Sequence, residues 1–112
     1  MLTQVAPGKK VPDQEVFAAV VSIIPFEELD EAIKAINSIE FGLAAGNFTQ
    51  NIENALAAAR QILVGSVYLN DTSSSRTDSM PCGGVKASGF GREGPAYCIK
   101  EMTEERVIVF GN

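Results

Sequence analysis

A change of hydrophobic period along the chain limits the fold most: continuous apolar runs give way to stripes at helical spacing, and the switch recurs within 112 residues. Strands and helices alternating in this way build an α/β layer with right-handed crossovers. The first run, Phe17-Ala18-Ala19-Val20-Val21-Ser22-Ile23-Ile24, is β-branched in its second half and predicts a strand buried on both faces. Pro25 closes it, and Glu27, Glu28, Asp30 and Glu31 suit the positive end of a helix macrodipole. Leu29, Ala32, Ile33 and Ile36 fall at i, i+3, i+4 and i+7, the stripe of an amphipathic helix that ends near Ser38. A short glycine-bearing strand is expected over residues 43–49. Ile52, Leu56, Ala59 and Leu63 then mark a helix capped by Thr49 or Asn51 and stopped by Gly65. A strand over 66–70, a helix over 94–103 and a last strand over 106–110 complete the reading.

This length suits one domain, and a globule of such size hides roughly 60–70% of the surface of its unfolded chain. Nine basic against fourteen acidic residues leave a net charge of -5. That balance repels phosphate backbones and argues against a nucleic-acid partner. No stretch reaches the roughly 18 apolar residues of a membrane span. Met1-Leu2-Thr3-Gln4-Val5-Ala6-Pro7 has no charged region followed by an apolar one, so no signal peptide is expected. Cys82 and Cys98 make no disulfide framework, which points to a cytoplasmic protein with two free thiols. There is no histidine, so one copy holds no Ser-His-Asp triad, no Cys-His pair and no His-ligated metal.

Gly89-Phe90-Gly91-Arg92-Glu93-Gly94 matches G-x-G-x-x-G, yet a dinucleotide fingerprint needs a strand before it and an acid about 20 residues later. Val85-Lys86-Ala87-Ser88 is a poor strand, and the acid's place falls near Val109 and Phe110. A tight turn leading into a helix accounts for the glycines better. Cys82 has Lys86 and Arg76 as its nearest cations in sequence, but both cysteines read first as small apolar fillers. By composition alone Glu15, Arg92 and Glu104 are solvated surface charges.

Three separated segments, in order and at matching spacing, resemble the aldehyde dehydrogenase superfamily. Glu15-Val16-Phe17 is similar to its E-x-F-G-P segment, with Ala19 where the family usually has proline. The stretch from Ile36-Asn37 through Phe41-Gly42-Leu43-Ala44-Ala45-Gly46-Asn47-Phe48-Thr49 resembles A-N-x-x-x-x-G-L-A-A-x-x-F-T. Pro81-Cys82-Gly83-Gly84-Val85-Lys86-Ala87-Ser88-Gly89-Phe90-Gly91-Arg92-Glu93-Gly94 resembles P-F-G-G-x-K-x-S-G-x-G-R-E. The likeness runs over nearly the whole chain and covers the last quarter or so of a family member.

The resemblance implies an α/β fold that forms part of a catalytic domain, with a C-terminal assembly strand over residues 104–112. It implies that a full-length parent binds NAD or NADP and oxidises a small aldehyde through a cysteine nucleophile, hydride transfer and thioester hydrolysis. The nucleophile and base segments do not occur here, so no catalytic residue is assigned, and no activity or bound cofactor is expected of this chain alone. By the same likeness Glu15 holds the nicotinamide ribose hydroxyls and Phe17 flanks the nicotinamide. Cys82 stands where many members place an aromatic near the substrate tunnel. Asn70-Asp71 with Arg76-Thr77-Asp78-Ser79-Met80-Pro81 is similar to the subgroup acting on lactaldehyde, phosphonoacetaldehyde or other small anionic or hydroxylated aldehydes, and Arg76 is the expected contact for a substrate anion. Arg92, Glu104 and the strand residues Arg106, Val107, Ile108 and Val109 are expected at an interface between copies, making a homo-oligomer. The alternative from another class is a non-catalytic oligomeric or interaction module.

Overall fold

In the computed structural model, which describes residues 1–5 and 9–112, the elements run β1 (Leu2–Thr3), α1 (Lys10–Asp13), β2 (Ser22–Ile23), α2 (Leu29–Ser38), β3 (Phe41–Gly42), β4 (Ala44–Asn47), α3 (Ile52–Gln61), β5 (Ser66–Leu69), β6 (Val85–Lys86) and α4 (Pro95–Met102). Ala6 and Pro7, part of the segment read for a leader, lie outside the described residues. The centre is the crossover β4-α3-β5, whose strands pair in parallel from Ala44 opposite Ser66 to Asn47 opposite Leu69. The Asn70 Oδ1 accepts from Thr49 N–H at 2.8 Å and closes the far end of that pair.

Of the two candidate caps for α3, Asn51 does the capping: its Oδ1 accepts from the N–H groups of Glu53 and Asn54 at 2.8 and 3.2 Å. Thr49 serves one step earlier, its Oγ1 accepting from Asn51 N–H at 3.1 Å. The C-cap is Ile62 and not Gly65. Gly65 has a different task, because a Cβ there would run into the Gly83 carbonyl.

The packed face of α3 differs from the expected stripe. Ala55, Ala58 and Ile62 are buried, whereas Ile52, Leu56, Ala59 and Leu63 are exposed. Small residues let α2 approach closely, so Ala58 and Ile62 meet Ile33, with Leu29, Ile36, Ala45, Val64 and Val67 packed around them. Burying side chains such as Ile33 and Ile62 stabilises by about 1.5–3 kcal/mol each. Asn37 adds a polar tie: its Nδ2 donates to the Gln61 carbonyl and its Oδ1 accepts from Leu63 N–H, both at 2.8 Å.

The expected long first strand reduces to Ser22–Ile23, which among the described residues pairs with β1 alone. Phe17, Val20, Val21, Ile23 and Ile24 are exposed, since no layer among the described residues covers them. Conversely, Val85–Lys86 does form a strand, antiparallel to β3. The final helix starts at Pro95, behind a glycine at φ 123°. Residues 103–112 follow without helix or ladder pairing among the described residues.

The expected degree of burial does not hold. The chain exposes 9139 Å², against about 5,900 Å² for a compact monomer of its mass and about 17,000 Å² unfolded, so about half of its surface is hidden. Its radius of gyration is 18.6 Å, where a compact chain of this length has about 13 Å.

Candidate functional site

The loop after β5 turns back on itself and brings Arg76 beside Cys82. Both line a pocket of about 190 Å³ with Leu43, Ala44, Tyr68, Ser73, Ser74 and Ser75. The turn is built from side chains that bond their own backbone. Asp71 Oδ1 accepts from Thr72 N–H at 2.7 Å, Ser75 N–H donates to the Thr72 carbonyl at 3.1 Å, and the hydroxyls of Thr72 and Ser74 lie 2.9 Å apart. A hydrogen bond from Ser75, and then the Thr72 N–H, hold the Asp71 carboxyl below its ordinary pKa. Such short local turns suit Asp, Ser and Thr.

Cys82 is held from the other side of the pocket. It exchanges both backbone hydrogen bonds with Glu93, at 3.0 and 2.6 Å. The Glu93 carboxylate in turn reaches Arg76 at 3.3 Å. Cys82 is a half-buried free thiol, whereas Cys98 is exposed on α4 and fills no core. Of the two cations expected near Cys82, Arg76 shares its pocket, while the Lys86 ammonium donates to the carbonyls of Asn37 and Ile39 at 3.0 and 3.2 Å.

The glycine-rich segment is scaffolding for this pocket. Gly89, Gly91 and Gly94 have φ of 128°, 79° and 123°, a left-handed region where side chains are strained. Arg92, expected at an interface, is half-buried and its guanidinium donates to the carbonyls of Gly84 and Gly91 at 2.9 and 2.7 Å. Ser88 Oγ accepts from Gly42 N–H at 2.9 Å, fastening the segment to β3. The structural importance of Asn37, Lys86 and Ser88 lay in their polar atoms meeting backbone, which no periodicity reveals.

Glu15 stands apart from Arg76. It lines a second, open groove of about 440 Å³ with Asp13, Gln14, Ile36, Ile39, Phe41, Ser88 and others. Leu43 and Ala44 line both cavities. Two residues on, the Phe17 ring is 94% exposed and does not line that groove. Glu104 and Arg106 are exposed, as are Val107, Ile108 and Val109 at 86, 70 and 83%. Among the described residues no cluster of side chains is fit to hold a metal ion, and no helix is long and apolar enough to cross a membrane.

The family model described as "Aldehyde dehydrogenase family" matches residues 1–108. The 3-sulfolactaldehyde dehydrogenase of Priestia megaterium is 51% identical over 97% of this chain, which corresponds to 23% of that protein. The lactaldehyde dehydrogenase of Methanococcus maripaludis (strain DSM 14266) is 40% identical over 88% of this chain and 21% of its own length. Among solved structures, an aldehyde dehydrogenase from Bacillus cereus in its NAD+ complex superposes with a TM-score of 0.86 at 36% identity, covering 91% of this chain and 21% of that one. Aldehyde dehydrogenase 21 from Physcomitrella patens, solved with its reaction product succinate, gives the same four values. The chain thus spans less than a quarter of the curated relatives it matches.

Proposed function

The chain belongs to the aldehyde dehydrogenase family, and from that premise we propose that it is the C-terminal part of an NAD(P)-dependent enzyme that oxidises a small anionic or hydroxylated aldehyde. The observation that carries this reading is the pocket that Arg76 lines together with Cys82 and a run of serines. A guanidinium presents a fork of donors that matches a sulfonate or carboxylate, and hydroxyls nearby suit a hydroxylated carbon chain. The relatives named for sulfolactaldehyde and lactaldehyde agree with that chemistry.

In this reading the groove residue Glu15 accepts hydrogen bonds from the two ribose hydroxyls of a nicotinamide cofactor, and the free ring of Phe17 provides an apolar wall. Both are exposed, which leaves them open to a cofactor. NAD(P), when bound, would accept the hydride that the aldehyde carbon gives up as it is oxidised. Arg76 orients the substrate by its charged end, and Cys82, smaller than an aromatic, leaves room at that end of the tunnel. Arg92, Glu104 and the stretch Arg106, Val107, Ile108, Val109 belong to a homo-oligomer interface, with residues 104–112 as its assembly strand. The apolar run Val107-Ile108-Val109-Phe110, exposed and without ladder pairing among the described residues, gains most by pairing with another edge.

The test joins this chain to the preceding three-quarters of the Priestia megaterium relative. We expect NAD(P) reduction with 3-sulfolactaldehyde by the joined enzyme and none by the 112-residue chain alone. Arg76→Ala should raise KM for the sulfonated aldehyde roughly 10- to 100-fold, the worth of a charge-assisted hydrogen bond, and leave an uncharged aldehyde unaffected. A variant that keeps its preference for the charged substrate sinks the assignment.

A further inference from the structure

Glu93 does not line the pocket, yet it touches both residues that define it. Its backbone is paired with Cys82, and its carboxylate is 3.3 Å from the Arg76 guanidinium. We propose that Glu93 is an internal counter-ion for Arg76, which a substrate anion has to displace or share, so that Glu93 sets how strongly the pocket prefers charged substrates. This rests on the reading of Arg76 as the contact for a substrate anion.

Two effects of Glu93 oppose each other, and their sizes decide the sign. As an orienting partner it contributes little, because both side chains are open to water, 49 and 71% exposed, and exposed pairs hold a side chain weakly. The turn over residues 72–75 already fixes the backbone leading into Arg76. As a charge, Glu93 is within one guanidinium's width of any anion on Arg76, inside the screening length of physiological salt. Repulsion at that range outweighs the small loss of order. A neutral residue at 93 therefore strengthens anion binding, by about three- to tenfold for charges some 6 Å apart in a wet site.

The probe is 2-hydroxyethanesulfonate titrated into the isotopically labelled 112-residue chain, followed by the amide and guanidinium NMR signals of residues 72–93. Glu93→Gln is expected to tighten binding about three- to tenfold. Raising the salt concentration should shrink that gain, and Glu93→Asp should behave as the parent does. Unchanged or weaker binding in Glu93→Gln, with binding still lost in Arg76→Ala, overturns the counter-ion role and leaves the substrate reading standing. Equal binding by Arg76→Ala and the parent overturns the substrate reading itself. If the free chain binds no sulfonate, KM of the joined enzyme decides. Glu93→Gln must then lower it for 3-sulfolactaldehyde and not for an uncharged aldehyde, and any other result refutes the proposal.

Discussion

Gly94 shows how much a single residue carries here. With φ 123° and ψ 143° it lies where side chains are strained, and a Cβ would sit 3.1 Å from the Met80 carbonyl oxygen. Gly94→Ala is expected to destabilise the chain by about 1–3 kcal/mol, read as a lower denaturant midpoint at constant slope. An unchanged midpoint would refute the assigned strain. The sequence foretold that this segment is a turn into a helix, because three glycines stood where a dinucleotide motif lacked its other parts. It did not foretell Arg92 on the carbonyls of Gly84 and Gly91, since a charge reads as solvated until the fold shows carbonyls within its reach. Arg76 and Cys82 were found through resemblance to a family, and only the structure brought them to one pocket.

Among the elements, α3 was legible in its start and N-cap but not in its C-cap or its orientation. Its apolar residues populate two faces, one of alanines and Ile62, the other of Ile52, Leu56, Ala59 and Leu63. Period alone favours the bulkier set, yet close approach to α2 selects the smaller one. The strand expected over Phe17–Ile24 was overestimated for a related reason: apolar continuity signals what can be buried, and burial needs a neighbouring layer. Asn51 offers a direct check on α3. Asn51→Ala removes an acceptor shared by two N–H groups and should cost about 1 kcal/mol of stability, measured by urea unfolding. Replacement by serine should restore most of it.

At the scale of the whole molecule, the excess of exposed surface is the chief fact. Apolar side chains in α3, the 17–24 segment and the 107–110 tail stand in water without a covering layer. Surfaces of that kind associate. Size-exclusion chromatography with light scattering should find the free chain above its 11.9 kDa monomer mass. A monodisperse monomer would show that the chain closes on itself in a way this structure lacks. Chain length had promised ordinary burial, because size alone cannot tell which apolar residues find one another.

The near-contact between Gly65 and the Gly83 carbonyl links two parts that otherwise look independent. Gly65 leads from α3 into β5 within the central crossover, while Gly83 belongs to the wall of the Arg76 pocket. With no clearance between them, a methyl group gained at position 65 pushes on the backbone of that pocket wall. Variation at position 65 is therefore exposed to selection through the shape of the Arg76 pocket as much as through folding.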